Sequence, residues 1–354
     1  SDYMETCLLH PTLGYYTTRP PFGAAGDFIT APEISQMFGE LLGLCAAQAW
    51  LDQGAPPAFT LAELGPGRGT LMADVLRATR GVAGFHAAAK LHLIEASPAL
   101  MAAQKTALAG YDVTWGADVA TLPDAPLFLL ANEFFDALPI RQFHRAAAGW
   151  AEVMVGAQSG ALVFGKSAPM QVAALDVKLP HTQLGDVVEL CPSAAPIMAQ
   201  IGARIVAHGG AALIVDYGAW DGFGDTFQAT RGHGFAHPLQ DAGLADLTAH
   251  VDFAALARAA HGAAAPNMLR SAYTTQGAFL SALGIGQRSA QLARGLSGDA
   301  LQSHIAATAR LTNAAEMGQV FKVLGLSPNH ALPLAGFDGA DANYAQDAQT
   351  GQRV

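Results

Sequence analysis

Between residues 59 and 217 short apolar runs alternate with helical stretches, and that alternation leaves the chain few folds. The runs are FTLAEL (59–64), LHLIE (91–95), YDVTW (111–115), PLFLLAN (126–132) and AALIVDY (211–217). Helical spacing lies between them at 70–79, 97–108 and 193–208. Brief apolar strands joined through helices build a mostly parallel sheet covered on both faces, an α/β fold. Ligands of such sheets bind beyond the carboxyl ends of the strands, near the point where strand order reverses. The chemistry is therefore expected in the loops that leave those strand ends.

The rest of the chain decorates that core. Residues 3–9 read as a helix ending near Pro11, and the Gly- and Pro-rich stretch after it reads as loop. Pro32 to Trp50 reads as one amphipathic helix, with Ile34, Phe38, Leu41, Leu42 and Cys45 on one stripe, Pro32 in its first turn and Thr30 as cap. Residues 140–165 read as an antiparallel meander inserted after the fourth strand. Residues 276–316 read as helical, between NMLRSAY (267–273) and QVFKVLGL (319–326), an antiparallel pair closing one sheet edge. The expected units are an amino-terminal closing segment (1–50), the two halves of the core (51–139 and 186–275) and a meander insertion (140–185). A helical insertion (276–316), a closing strand (317–333) and a partly disordered tail (334–354) follow.

Composition excludes several function classes. Of 354 residues 51% are hydrophobic, much of that alanine, yet no uninterrupted apolar run reaches membrane-spanning length. The net charge of −10 opposes general nucleic-acid binding, which needs clustered Lys and Arg, and suits a basic partner or a cationic ligand. Cys7, Cys45 and Cys191 are scattered and odd in number, as expected of structural thiols in a reducing compartment. The opening SDYMETCLLHP shows no signal peptide and reads as a helix already under way, as if a natural start were missing. The expectation is a soluble intracellular protein without a metal site.

The stretch AELGPGRGTL (62–71) follows the first strand and precedes a helix. Its glycines Gly65, Gly67 and Gly69, with Pro66 between the first two, permit positive φ and a close ligand approach. The helix start aims free N–H groups at the loop. The spacing is G-x-G-x-G, which departs from the G-x-G-x-x-G of dinucleotide sites, and no Gly-Lys-Ser/Thr follows as a P-loop needs. Glu63, just before the glycines, would repel a phosphate and welcome an ammonium or sulfonium, as in S-adenosyl-L-methionine. Glu95, followed by Ala96, ends the second strand, where a carboxylate can accept ribose hydroxyls. Asp118, followed by Val119, comes after the third strand, where it can meet an adenine amino group.

The fourth strand runs into Asn132-Glu133-Phe134-Phe135-Asp136. Glu133 and Asp136 can share one turn, where paired carboxylates hold a cationic substrate or take a proton as it reacts. Phe134 and Phe135 suit core packing as well as ligand contact. Asp216, at the fifth strand end, and His250 are secondary catalytic candidates, and Asp252 suits the cap of FAALARAA. A nicotinamide-dependent oxidoreductase would share the sheet, and a non-catalytic assembly factor would share the ligand.

Five blocks in order, GDFITAPEISQMFGELLG, ELGPGRGTLMADVLR, ANEFFDALPIRQF, VDYG and DLTAHVDF, resemble the MidA-like proteins over nearly the whole chain. The resemblance implies a class I, Rossmann-like methyltransferase fold with a seven-stranded sheet and S-adenosyl-L-methionine as cofactor. It implies cofactor contacts from Glu63, Gly65, Gly67, Gly69, Glu95 and Asp118. Asp27, Thr30, Pro32 and Glu33 would belong to a segment folding over the ligand. Mitochondrial members resemble protein-arginine methyltransferases acting on a respiratory complex I subunit. That implies a protein substrate, no membrane span, a possible homodimer, and a bacterial cytoplasm or a mitochondrial matrix as location. Better-known arginine methyltransferases clamp the guanidinium between two glutamates; this chain offers Glu133 and Asp136.

Overall fold

The computed structural model describes residues 1–18, 29–232, 234–262 and 268–338. Four helices open the chain: α1 (Asp2–Leu9), α2 (Tyr15–Thr18), α3 (Ala31–Ile34) and α4 (Gln36–Asp52). Then β1 (Phe59–Leu64), α5 (Thr70–Ala78), α6 (Phe85–Ala88), β2 (Ala89–Ile94), α7 (Pro98–Ala107), β3 (Val113–Gly116) and β4 (Leu127–Asn132) alternate. The inserted meander is β5 (Arg141–Ala146), β6 (Gly149–Gln158) and β7 (Ala161–Lys166), completed by β8 (Val187–Leu190). The core resumes with α8 (Ala194–His208) and β9 (Gly210–Ala219). A small sheet of β10 (Gln228–Arg231), β11 (Gly234–Ala236) and β12 (Asp246–Thr248) follows, then β13 (Val251–Asp252) and α9 (Phe253–Gly262). Last come β14 (Leu269–Thr275), α10 (Gln276–Ala282), α11 (Ile285–Ala293), α12 (Gly298–Thr312), α13 (Met317–Val320) and β15 (Phe321–Pro328).

The main sheet runs β14-β15-β9-β4-β1-β2-β3, and short β13 pairs with the end of β9. Strands β3, β2, β1, β4 and β9 are mutually parallel, and β15 lies antiparallel between β9 and β14. Strand order therefore reverses between β1 and β4, and both carboxyl ends open onto one crevice. All six residues of β1 and of β4 are buried, which is why these strands read as unbroken apolar runs. Successive side chains point to opposite faces. Phe59, Leu61, Phe128 and Leu130 meet α4 and α5 through Phe38, Leu42, Leu71 and Val75. Ala62, Leu64, Leu127 and Leu129 meet α8 and α9 through Met198, Ile201, Phe253 and Leu256.

The mostly parallel sheet, the antiparallel closing pair at its edge and the meander match the sequence reading. Three local expectations need correction. The single helix over 32–50 is two, because Ser35 is extended (φ −158°, ψ 134°) and its hydroxyl accepts the Met37 N–H at 3.3 Å. The break turns α3 away from α4 and over the strand ends. Tyr15–Thr18 is a helical turn where loop was expected, nucleated by burial of Tyr15, which is 1% exposed. The sheet β10–β12 falls in the second half of the core where no strands were expected, its strands three or four residues long and so too short to show an alternation. Asp27, Asn267 and most of the tail (339–354) lie outside the described residues.

Candidate active site

At the end of β1, Gly65, Gly67 and Gly69 take φ of +57°, +52° and +85°, the left-handed region that favours glycine. A Cβ on Gly65 would also stand 2.9 Å from a Phe134 ring carbon, so the first glycine is demanded twice. The Gly65 N–H donates to Ile94 O at 3.0 Å and the Gly69 N–H to Pro66 O at 2.7 Å, holding the loop as a tight turn into α5. The crevice so formed is lined by Glu63, Gly65, Pro66, Gly67, Arg68, Thr70 and Leu71 from the β1 side, and by Asn132 and Glu133 from β4. Thr30, Pro32 and Glu33 cover it from above. Two ties fix that cover: Thr70 Oγ1 donates to Glu33 Oε1 at 2.7 Å, and the Ala31 N–H donates to Glu133 Oε1 at 3.2 Å. Thr30 sits at the cap position of α3, but its side chain makes no cap bond.

The crevice is acidic and its acids are poorly compensated. Glu63 is 2% exposed, and burial, with the nearby Glu95 adding repulsion, pushes its carboxyl up to about 8 against a backbone bond from Met72. Its Oε2 is buried and without a hydrogen-bond partner. An unpaired buried carboxylate oxygen is costly until a cation or donor reaches it. Glu133 takes φ +50°, a conformation costing a non-glycine residue on the order of 1 kcal/mol. Its Oε1 also accepts the Asn132 Nδ2 donor at 3.2 Å. Burial, then repulsion from Asp136, raises its carboxyl to about 7. Asn132 Oδ1 is likewise buried and unpartnered.

Asp136 is 5% exposed, and burial raises it to about 6 although the Tyr217 hydroxyl donates to it. Its Oδ1 has no partner. Asp216, expected inside the crevice as a secondary candidate, is spent on structure instead. Its Oδ2 accepts the Phe135 and Asp136 N–H groups at 3.0 and 3.2 Å, and its Oδ1 accepts the Tyr217 N–H at 2.9 Å. It shapes the turn that presents Glu133 and Asp136. His250 is exposed, outside the crevice lining, with its ring edge-on to Tyr217 at 5.5 Å. Partial desolvation of its ring against Tyr217, then the charge of Lys322, lowers its pKa. That geometry makes His250 a neighbour of Tyr217, whose hydroxyl donates to Asp136, and places it in the lining of a second cavity instead of the crevice. Asp252 does cap α9, accepting the Ala255 N–H at 2.8 Å, and also pairs with Lys178 at 2.6 Å.

Glu95, Ala96, Asp118 and Val119 follow along the same sheet edge, at the ends of β2 and β3, off this crevice wall. Glu95 Oε1 accepts the Ser97 N–H at 2.8 Å and Oε2 accepts Gln104 Nε2 at 3.0 Å, while Ser97 caps α7. Ala96 is exposed. Asp118 is exposed and caps the turn 119–121 through Ala120 N at 2.7 Å; Val119 packs in the core at 2% exposure. Gln104 was not foreseen. It is 0% exposed, and its Nε2 donates both to Glu95 and to Gly67 O (2.8 Å) while its Oε1 accepts Trp115 Nε1 (2.8 Å). It thus locks the glycine loop to the acid of the second strand. A trace existed in the sequence: Leu100, Gln104 and Leu108 form one buried helical stripe in which a lone amide stands out.

A sheet with this strand order, a glycine turn after its first strand and acids at its first, second and fourth strand ends define the class I methyltransferase architecture. Residues 41–270 match a family model described as "Putative S-adenosyl-L-methionine-dependent methyltransferase", and the chain belongs to that family. It is 36% identical over 372 residues to "Protein arginine methyltransferase NDUFAF7, mitochondrial" of Xenopus tropicalis, covering 95% of this chain and 85% of that protein. The Homo sapiens protein of the same name is 35% identical over 360 residues, 94% of this chain and 80% of its own. The crystal structure of a Burkholderia thailandensis protein bound to S-adenosyl-homocysteine superposes with a TM-score of 0.79 at 29% identity, covering 97% of this chain and 89% of that one. The enzyme is thus a methyltransferase that uses S-adenosyl-L-methionine. The orphaned Glu63 oxygen, the left-handed glycines and the open Asn132 carbonyl fit that cofactor's cationic amino-acid end.

Proposed function

We propose that the enzyme methylates an arginine side chain of a protein substrate. The observation that carries this reading is that Glu133, on the crevice wall, and Asp136, three residues on in the same turn, are buried carboxyls raised by burial with no ion-pair partner among the described residues. A guanidinium supplies the missing charge and has donors enough for both carboxyls. The relatives named above are protein arginine methyltransferases, which supports the same acceptor. On this reading the substrate includes a subunit of respiratory complex I, and the site of action is a bacterial cytoplasm or, in a eukaryote, the mitochondrial matrix.

In this assignment Gly65, Pro66, Gly67 and Gly69 seat the methionine part of the cofactor, Glu63 faces its ammonium, and Asn132 accepts from it. Glu95 with Ala96 meets the ribose, Asp118 with Val119 the adenine, and Thr30 and Glu33 close the cover. When bound, the cofactor supplies a methyl on a positively charged sulfur, open to in-line displacement. Glu133 and Asp136 orient the acceptor nitrogen and exclude competing water. Glu133, whose carboxyl burial raises to about 7, takes in its anionic form the proton that the methylated nitrogen sheds.

The test is mass spectrometry of methylated peptides from cells with and without the protein, beside assays of a Glu133→Ala, Asp136→Ala double variant. The double variant should still bind S-adenosyl-L-methionine but lose about 100-fold or more in turnover. Native turnover in that variant, or loss of methylation at a residue other than arginine in the deleted cells, would overturn the assignment.

A further inference from the structure

A second cavity, of about 290 Å³, opens on the far side of the Glu133–Asp136 turn. Its walls are mainly apolar: Ile140, Val172, Leu190, Ala195 and Leu256 line it, drawn from the meander and from the first turns of α8 and α9. Its charged side chains are already satisfied, and its one histidine, His250, packs its ring on Tyr217. Arg141 pairs with Glu152 at 2.7 Å, Asp252 with Lys178 at 2.6 Å, and Glu189 accepts from Gln142, Thr226 and Phe227. The cavity therefore asks for an apolar occupant. An apolar cavity of about 150 Å³ already takes benzene, so this one has room for an aromatic or branched aliphatic side chain.

Its position identifies whose side chain that is. Phe135, on the cavity wall, lies between the two acids in sequence, and Ala249, also on the wall, donates its N–H to Asp136 O at 3.1 Å. The cavity and the acid pair are thus two sides of one turn, at the carboxyl ends of β4 and β9. Resting on the arginine reading above, we infer that this cavity receives a bulky apolar side chain of the same protein substrate, a few residues from the methylated arginine. The acids would select the cation and the cavity would select its neighbour, so that sequence context is read next to the chemistry.

The test uses the full chain, S-adenosyl-L-methionine and arginine-centred peptides in which each flanking position carries Ala, Leu, Met or Phe in turn. The native enzyme should favour a bulky apolar residue at one flanking position by about tenfold or more in kcat/KM over alanine. Ala195→Trp, at an exposed helix position on the wall, and separately Ala255→Phe should shrink that preference to about twofold. Their affinity for S-adenosyl-L-methionine, measured by calorimetry, should stay native. Methylation with no neighbour preference, or a preference that survives in both variants, overturns the inference alone. Failure to methylate any arginine peptide overturns the acceptor reading and takes this inference with it.

Discussion

Gln104 shows how much of a site can rest on one amide. Its three side-chain bonds use both N–H donors and the carbonyl, and they tie loop, acid and indole into one unit. Replacing it with Met keeps the volume but strands Gly67 O and the Trp115 N–H. We expect Gln104→Met to cost about 1–3 kcal/mol of stability and to raise KM for S-adenosyl-L-methionine about tenfold, with kcat at saturation little changed. A kcat loss with unchanged KM would show that the amide does not position the loop. At this scale the sequence shows the acids more readily than their supports. Glu63 and Glu133 are legible because they stand at strand ends beside breaks in the apolar pattern. Gln104 meets a loop 37 residues away, a proximity no local pattern carries. Asp216 misleads for the opposite reason: it too ends a strand, but its carboxylate turns back to the N–H groups of Phe135 and Asp136.

Among the elements, α4 is the fastening point of one face. Glu40, whose side chain is 4% exposed, accepts from Arg288 of α11 at 2.7 and 3.0 Å and from Arg77 of α5. The helical insertion is thereby held to the core by charge as well as by Phe279 and Leu280. Glu40→Gln should lower stability by about 2 kcal/mol in urea unfolding, since Arg288 loses its counter-ion and Arg77 keeps only Asp74. Arg288→Met should cost about 1 kcal/mol, because Arg77 remains. Amide exchange over 285–293 should quicken in both variants; unchanged exchange would mean that apolar packing alone docks the insertion. Helices with a steady stripe were legible, yet the break at Ser35 was hidden inside one: serine is tolerated within helices and breaks them only when its hydroxyl finds a backbone donor.

For the whole molecule, the concentration of buried acid sets a pH dependence. Glu63, Glu133 and Asp136 have folded-state values of about 8, 7 and 6, all above their ordinary ones. A raised carboxyl favours folding while protonated, so its contribution is full below the ordinary value and is lost as pH rises through the raised one. From about pH 5 to about pH 8.5 these three acids should progressively destabilise the ligand-free protein. A Glu63→Gln, Glu133→Gln variant should therefore gain in melting temperature relative to native as pH rises over that range. A difference that stays constant with pH would mean that these groups do not titrate there. The mostly parallel sheet was legible because its strands advertise themselves as apolar runs, whereas the strands of the small sheet are too short to show a pattern and the ties of Ala31 and Glu33 join segments distant in sequence.

The two ties of the amino-terminal turn join opposite rims of the crevice, one on Thr70 and one on Glu133. The second tie also draws the Glu133 carboxyl downward in pKa, since the Ala31 N–H favours the anion. The glycine-loop side and the Glu133 carboxyl are consequently joined through one short turn, so a substitution that displaced Ala31–Ile34 would release Thr70 and remove an anion-favouring bond from Glu133 together.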